Sequence, residues 1–307
     1  MLHETVKGLA IHPDGFYVDA TFGRGGHSQE ILKQLSAAGH LLMLDRDPQA
    51  IATAKERFGS DPRVTIVHSP FSELPEVLEK MEGVEKIDGL LLDLGVSSPQ
   101  LDQADRGFSF MQDGPLDMRM NPEQGESAAE WLQHAPAEEI ARVLWEYGDE
   151  RQSRKIARAI VHDRVEAPFT STLQLAGLIQ RILPKGGKKH PATRTFQAIR
   201  IHINRELEEL QQILESLIAL LNPGGRIAII SFHSLEDRMV KRFFRRCEKG
   251  EQAPMPIDIP LREVAHTVLL KGVGKAQFPS PQEIEENPRS RSAVLRVAER
   301  QSEEVAV

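Results

Sequence analysis

One cysteine in 307 residues, Cys247, leaves no partner for an internal disulfide and no ligands for a cysteine-based zinc site, which fits a reducing compartment. Its simplest role is that of a small apolar residue on a helix. Long apolar runs are missing too: Ile87 to Leu94 and Ile213 to Leu221 are too short or interrupted for a bilayer, which takes about 20 apolar residues. The first residues carry His3, Glu4 and Lys7 without an apolar core or a small-residue cleavage pattern, so no secretory signal is expected and the cytoplasm is the default. The 11 histidines are scattered without paired ligand spacing, so no metal site is expected. An excess of positive charge is absent: the formal net charge of -7 argues against a protein that coats nucleic acid over its whole surface. Negative charge, in turn, is absent from one stretch, where Arg181, Lys185, Lys188, Lys189, Arg194, Arg200 and Arg205 occur with no Asp or Glu. Solvated helix faces and a contact to a nucleic-acid backbone both account for this basic island. On the second account Lys188, Lys189, His190, Arg194 and Arg200 are the candidate nucleic-acid contacts.

A hydrophobic content of 40% can bury one large core and a smaller satellite, so two structural units are expected. Short apolar runs alternate with amphipathic stretches in the N-terminal half, the pattern of a doubly wound parallel sheet. Strands are predicted at Phe16 to Ala20, His40 to Leu44, Val64 to His68 and Ile87 to Leu92. Helices are predicted from about Ser28 to Leu35, and from Asp47 to Phe58 with Asp47 as N-cap and Pro48 at the first helical position. Gly107, Gly114, Pro115 and Pro122 then punctuate a loop-rich stretch, and helical periodicity takes over from Ser127 to about Leu183. The alternation resumes with one long helix from about Thr193 to Leu221, a turn at Asn222-Pro223-Gly224-Gly225 and a strand from Arg226 to Phe232. A helix from about Leu235 to Cys247 and a last, antiparallel strand over Ser292 to Ala298 complete the pattern. The expected fold is thus an α/β domain formed by residues 1–100 and 192–301, interrupted by an inserted helical domain over 101–191, with a disordered tail over 302–307.

The first strand runs into Asp19-Ala20-Thr21-Phe22-Gly23-Arg24-Gly25-Gly26-His27, where glycines let the backbone approach a ligand and bend before a helix. Asp45 ends the second strand about 20 residues on, where a carboxylate can accept both hydroxyls of an adenosine ribose. Together they favour an adenosine-containing cofactor. A dinucleotide fingerprint requires Gly or Ala where Ser28 stands, so a nicotinamide-dependent dehydrogenase is disfavoured. S-adenosylmethionine carries no phosphate and needs no anion cradle. Asp93 adds a carboxylate at the end of the fourth strand, the edge at which open α/β sheets bind ligands.

Six blocks carry a family resemblance: Asp19 to His27, Asp88 to Gln100, Arg106 to Phe110, Gly114 to Met120, His190 to Ala198 and Ser231 to Arg238. In this order and over nearly the whole chain, they resemble the bacterial 16S ribosomal RNA cytosine-N4 methyltransferases, the ribosomal small subunit methyltransferase H family. The resemblance implies a Rossmann-like, S-adenosylmethionine-dependent methyltransferase domain with an inserted helical domain, acting on a cytosine of the decoding region. It also implies that Gly25, Gly26, His27, Asp45, Phe71, Asp93 and Gln100 bind the cofactor. Phe71 would lie against the adenine, and Gln100, which both donates and accepts, suits the amino acid end. Two departures are visible. Family members carry a short segment with a His and a Val-Leu-Leu run before the position of Met1. The Asp-Pro-Pro-aromatic run of amino-directed DNA methyltransferases is Asp93-Leu94-Gly95-Val96 here, so the aromatic that stacks on the target base is sought among Phe108, Phe110 and Phe232.

A cytosine amine is a poor nucleophile, and an acceptor for its hydrogens helps localise the nitrogen lone pair. Asp93 is the candidate catalytic acceptor, with cofactor binding as its other role; His233 is the candidate proton shuttle, and Ser231 and Asp237 are its neighbours after the late strand. A helix-capping turn built from Ser234 and Asp237 is the competing account of that segment. The partner is 16S rRNA within the small ribosomal subunit, with the base unpaired or flipped out; a monomer and a homodimer both remain open. The rival function is a non-catalytic RNA-binding assembly factor that keeps the cofactor pocket.

Overall fold

The computed structural model describes residues 1–183, 190–250 and 268–302, and the chain divides into two compact units, 1–95 with the residues from 208 onward, and 96–207. In chain order the first elements are α1 (Leu2–Leu9), β1 (Phe16–Asp19), α2 (Gly26–Leu32), β2 (His40–Asp45), α3 (Pro48–Phe58), β3 (Val64–His68), α4 (Leu74–Glu79) and β4 (Ile87–Asp93). Six helices follow: α5 (Ser98–Asp102), α6 (Ala128–His134), α7 (Ala137–Gly148), α8 (Ser153–Asp163), α9 (Thr172–Ile182) and α10 (Thr193–Ile203). The chain returns through α11 (Glu206–Leu220), β5 (Leu221–Ser231), α12 (Ser234–Lys249), β6 (Leu270–Gly272), α13 (Pro281–Glu286) and β7 (Val294–Arg300). Among the described residues no helix is long and apolar enough to cross a membrane.

The first unit is a seven-stranded mixed sheet in the order β3-β2-β1-β4-β5-β7-β6. β1 to β5 run parallel, and β7 is antiparallel to β5 and β6. Parallel strands need cover on both faces, so both sets of alternating residues are apolar. Val18, Leu42, Leu90, Leu92, Ile227 and Ile229 point to one face and pack with Leu210, Ile213 and Leu217 of α11 and Val240 and Phe243 of α12. Tyr17, Leu41, Met43, Leu91 and Ala228 point to the other, against Val6 and Leu9 of α1, Ile31 of α2 and Ala54 of α3. From β1 the chain steps outward through β2 to β3, then crosses to β4 and winds the other way. Loops after β1 and β4 therefore diverge, which opens a crevice at the carboxyl ends of these strands.

Local signals set most of these elements. Asp47 caps α3 by accepting from the Gln49 N–H at 2.9 Å, with Pro48 following. The Asn222-Pro223-Gly224-Gly225 segment lies within β5, where pairing to β4 jumps from Ile87 and Leu221 to Gly89 and Arg226. The extra residues bulge opposite Asp88, whose Oδ1 accepts from Asn222 Nδ2 at 2.8 Å. β6, with three residues, is too short to show an alternating pattern in the sequence.

The second unit is helical, around Trp131, Ile140, Val143, Ile156, Ile160, Leu175, Ile179, Phe196 and Ile199. It is longer at both ends than the expected 101–191. α10 belongs to it because α10 packs on α7 at Gly148, where an added Cβ would stand 2.7 Å from the Arg194 carbonyl oxygen and 3.1 Å from the Ala198 methyl. The single long helix expected from Thr193 to Leu221 is two helices. Asn204 breaks it: the side-chain Nδ2 donates to the Met118 carbonyl at 2.7 Å and Oδ1 accepts from the Met120 N–H at 2.7 Å, and Arg205 turns left-handed at φ 52°.

Candidate active site

At the reversal of winding, β1 and β4 pair with Asp19 opposite Leu91, and the end of β4 is tied to the start of the loop after β1. The Asp93 N–H donates to Thr21 Oγ1 at 2.6 Å. Asp19 accepts from the Thr21 N–H at 3.3 Å and from Ser28 Oγ at 2.6 Å. Burial pushes Asp19 up to about 6, against the pull of the Ser28 and Thr21 bonds. Sequence reading missed this role. Asp19 stood out only as the end of a strand, and nothing in the spacing ties it to Ser28.

The loop after β1 is shaped by two glycines. Gly23 is left-handed at φ 54°, and its N–H donates to Asp45 Oδ2 at 2.8 Å. Gly25 is the N-cap of α2 at φ 75°, and a Cβ there would stand 2.6 Å from the Phe22 ring. At Gly26 an added Cβ would meet nothing within 4 Å, so the first turn of α2 faces open space. Asp45, half-buried at the end of β2, also accepts from the Asp47 N–H at 2.8 Å through Oδ1. Burial pushes its carboxyl up to about 6 while these two bonds pull it down. Each oxygen thus holds one backbone partner and keeps acceptor capacity for a ligand hydroxyl. Phe71 follows β3, half-buried, with one side against the core.

Asp93 and His27 form the floor of this crevice. The Asp93 Oδ2 and His27 Nδ1 are 3.7 Å apart, too far for a hydrogen bond. Asp93 Oδ1 and His27 Nε2 are both buried and without a hydrogen-bond partner among the described residues. Burial, and after it the charge of Asp19, pushes Asp93 up to about 7; burial pushes His27 down to about 4, so its ring is neutral at pH 7. An unsatisfied buried polar group costs about 1–3 kcal/mol, which a ligand that pairs with it returns. Glycines with open space before them, a ribose-competent carboxylate and two orphaned polar atoms fit an adenosine-bearing cofactor with a polar amino acid end.

At the end of β5, Ser231 is buried and Phe232 lies 3.7 Å from where a Cβ on Gly95 would stand. His233, and not Ser234, is the N-cap of α12, in a capping box with Glu236 that uses Nδ1, while its buried Nε2 has no hydrogen-bond partner among the described residues. Its Nδ1 accepts from the Glu236 N–H at 3.4 Å and its Nε2 lies 3.1 Å from Glu236 Oε1. Asp237 is bound on both oxygens by Arg296, at 2.7 and 3.2 Å. These contacts give Asp237 and His233 Nδ1 structural roles and leave His233 Nε2 without a hydrogen bond among the described residues.

The remaining candidates fall in the second unit. Gln100 is buried in α5, and its Oε1 accepts from the Ser97 N–H at 2.9 Å in a capping box. His190 is exposed and its ring lies 4.5 Å from that of Phe110; Arg194 is exposed and donates to the Asp149 carbonyl at 3.3 Å. Arg200 is not the free cation expected of an RNA contact, because Glu206 accepts from its Nε and Nη2 at 2.8 and 2.9 Å. Lys188 and Lys189 lie outside the described residues. Of the aromatics considered for base stacking, Phe108 is core and Phe110 contacts His190 and Phe196, which leaves Phe232 at the sheet edge.

The chain is similar to proteins named ribosomal RNA small subunit methyltransferase H. The one from Shewanella woodyi is 58% identical over 301 residues, 98% of this chain and 96% of that protein, and the one from Shewanella loihica is 56% identical over the same span. Among solved structures, an rRNA methylase from Streptococcus thermophilus is 12% identical and aligns over 98% of this chain and 96% of its own with a TM-score of 0.43. A family model covering residues 1–301, together with relatives of this identity over their full length, establishes that the chain belongs to the MraW methylase family.

Proposed function

We propose that the protein methylates the exocyclic N4 amine of a cytosine in the decoding region of 16S rRNA, acting in the cytoplasm on the small ribosomal subunit. Family membership supports the methyltransferase activity, and the full-length relatives support the small-subunit rRNA substrate. The observation that carries the reading is the buried, unpartnered Asp93 Oδ1 at the winding reversal, beside a Gly-rich loop and Asp45. When bound, S-adenosylmethionine supplies a methyl group already activated on a sulfonium, so positioning is most of the catalytic task.

Asp45 would accept hydrogen bonds from the ribose hydroxyls while the Gly23 and Asp47 N–H groups hold its carboxylate in place. Gly25 and Gly26 would admit the amino acid end, and Phe71 would lie against the adenine. Asp93 Oδ1 accepts a hydrogen bond from the cytosine amine, which localises the lone pair on the nitrogen, and it would take the proton that methylation of the amine releases. His27, neutral at pH 7, completes the polar floor. Phe232 is the aromatic that meets the flipped base. His190 and Arg194, with Lys188 and Lys189, contact the RNA backbone.

Incubation with labelled S-adenosylmethionine and small subunits from a strain lacking this protein tests the reading, with the product nucleoside identified by mass. Label in N4-methylcytidine is expected. Cofactor and RNA binding without label in the RNA would leave a non-catalytic assembly factor.

A further inference from the structure

Helix α12 carries a charge pattern that the site above does not use. Arg238, Lys241, Arg242, Arg245, Arg246 and Lys249 lie along it, in a chain of net charge -7. At 3.6 residues per turn, Arg238, Arg242, Arg245 and Lys249 share one face, flanked by Lys241 and Arg246. The opposite face buries Val240, Phe243, Phe244 and Cys247 in the core of the first unit, which holds the helix and aims the basic stripe outward. Arg238, Arg242 and Arg245 are exposed and Lys241 is half-buried. Among the described residues none of these four has an ion-pair partner.

The helix's own carboxylates are turned away. Glu236 is buried in the N-terminal capping box and Asp237 is bound to Arg296, so Glu248 alone adds an exposed negative charge, to one side of the stripe. Unscreened like charges on adjacent turns repel, and a face that served only solubility would intersperse both signs. From Arg238 to Lys249 the stripe runs about 16 Å, at about 1.5 Å per residue. The helix begins three residues beyond the end of β5, at the carboxyl edge of the sheet where Phe232 stands, and the stripe opens on its second turn at Arg238.

We infer that the basic face of α12 is a docking surface for the phosphate backbone of the RNA that carries the target base. The inference rests on the proposed rRNA substrate, and it extends the candidate RNA contacts to a segment outside the Arg181 to Arg205 island. A stripe of guanidinium and ammonium groups, without aromatics or amides on the same face, recognises phosphate and not base edges. It orients the strand and leaves base selection to the crevice.

The test is RNA affinity against salt for the wild-type protein and for a Lys241→Gln/Arg242→Gln/Arg245→Gln variant, with a decoding-region fragment of 16S rRNA as probe. The slope of log affinity against log salt is expected to lose about 0.7 for each contact removed, and affinity at 0.1 M salt to fall about tenfold or more. Cofactor affinity by calorimetry stays unchanged, which shows that the variant is folded. Arg242→Lys/Arg245→Lys, which keeps the charge, retains the slope. An unchanged slope in the triple variant overturns the assignment, and so does a loss confined to binding of anionic phospholipid vesicles. Methyl transfer is scored separately. Transfer with an unaltered slope removes the docking surface and spares the proposed activity; a reduced slope without transfer by the wild-type protein does the reverse.

Discussion

Asp93→Asn is expected to stabilise the fold while silencing methyl transfer. Burial lifts the Asp93 carboxyl from its ordinary 3.8 to about 7, so between those values the folded protein binds a proton that the unfolded chain has released. Stability contributed by this group is therefore present below about pH 4 and lost as pH rises toward 7. A shift of about three units, at about 1.36 kcal/mol each, sets an upper bound of about 4 kcal/mol. The side chain keeps 32% of its surface in solvent, and screening there lowers the figure to about 2 kcal/mol. Asparagine has no charge to desolvate and escapes the whole term. In a chain of this size about 2 kcal/mol corresponds to about 4 °C in Tm. Thermal melts of both proteins from pH 4.5 to 7.5 measure it, and the gap in favour of the variant is expected to widen with pH. In single-turnover assays at saturating cofactor the variant slows about 100-fold or more, because a neutral amide replaces the anionic acceptor. Wild-type kcat/KM rises with pH through about 7 as the free enzyme's Asp93 ionises. A stability gap that is absent or independent of pH refutes the desolvated carboxylate. Normal turnover at saturation with weakened cofactor affinity makes Asp93 a binding residue and moves the search for the acceptor to Ser231 and His233.

Three further outcomes follow from the geometry. Asp45→Ala should leave the far-ultraviolet circular dichroism intact and weaken cofactor binding about tenfold or more, the value of a lost charge-assisted hydrogen bond of about 1.5–3 kcal/mol; unchanged calorimetric affinity in a folded variant removes Asp45 from the site. Gly25→Ala places a Cβ 2.6 Å from the Phe22 ring at a left-handed position, and a loss of about 2–4 kcal/mol is expected in denaturant titration, with stability within about 0.5 kcal/mol of wild type as the contrary result. Asn204→Ala strips the Met118 carbonyl and Met120 N–H of buried partners and should cost about 2–4 kcal/mol, whereas a neutral substitution shows that water replaces the amide.

Much of the fold was legible because its signals are local. The β3 bounds and the Asp47-Pro48 start of α3 were readable because a strand's apolar run and a helix cap are written in consecutive residues. The turn glycines, Asp45 and Asp93 were also readable, since each follows a strand and the carboxyl edge of a parallel sheet is where ligands bind. The break at Asn204 was not legible: helical periodicity continues through it, and the partners that stop the helix are Met118 and Met120, more than 80 residues away. Arg200 and Asp237 read as available charges for the same reason, because the glutamate and arginine that engage them are brought in by packing.

The amino-acid sequence alone determined the winding pattern, the family and the set of polar residues able to meet a cofactor, because periodicity, glycine-bearing turns and long motif blocks do not depend on what folds beside them. Tertiary structure decided which of those residues remain available. It left the Asp93 and His27 atoms unpaired by burying them in the crevice between diverging loops, and it engaged His233 Nδ1 in a helix cap. It joined α10 to the helical unit through Gly148, and it turned the basic face of α12 to solvent by burying Phe243 and Phe244 behind it. Availability depends on desolvation and on the nearest opposite charge, and both are set by neighbours that only the folded chain supplies.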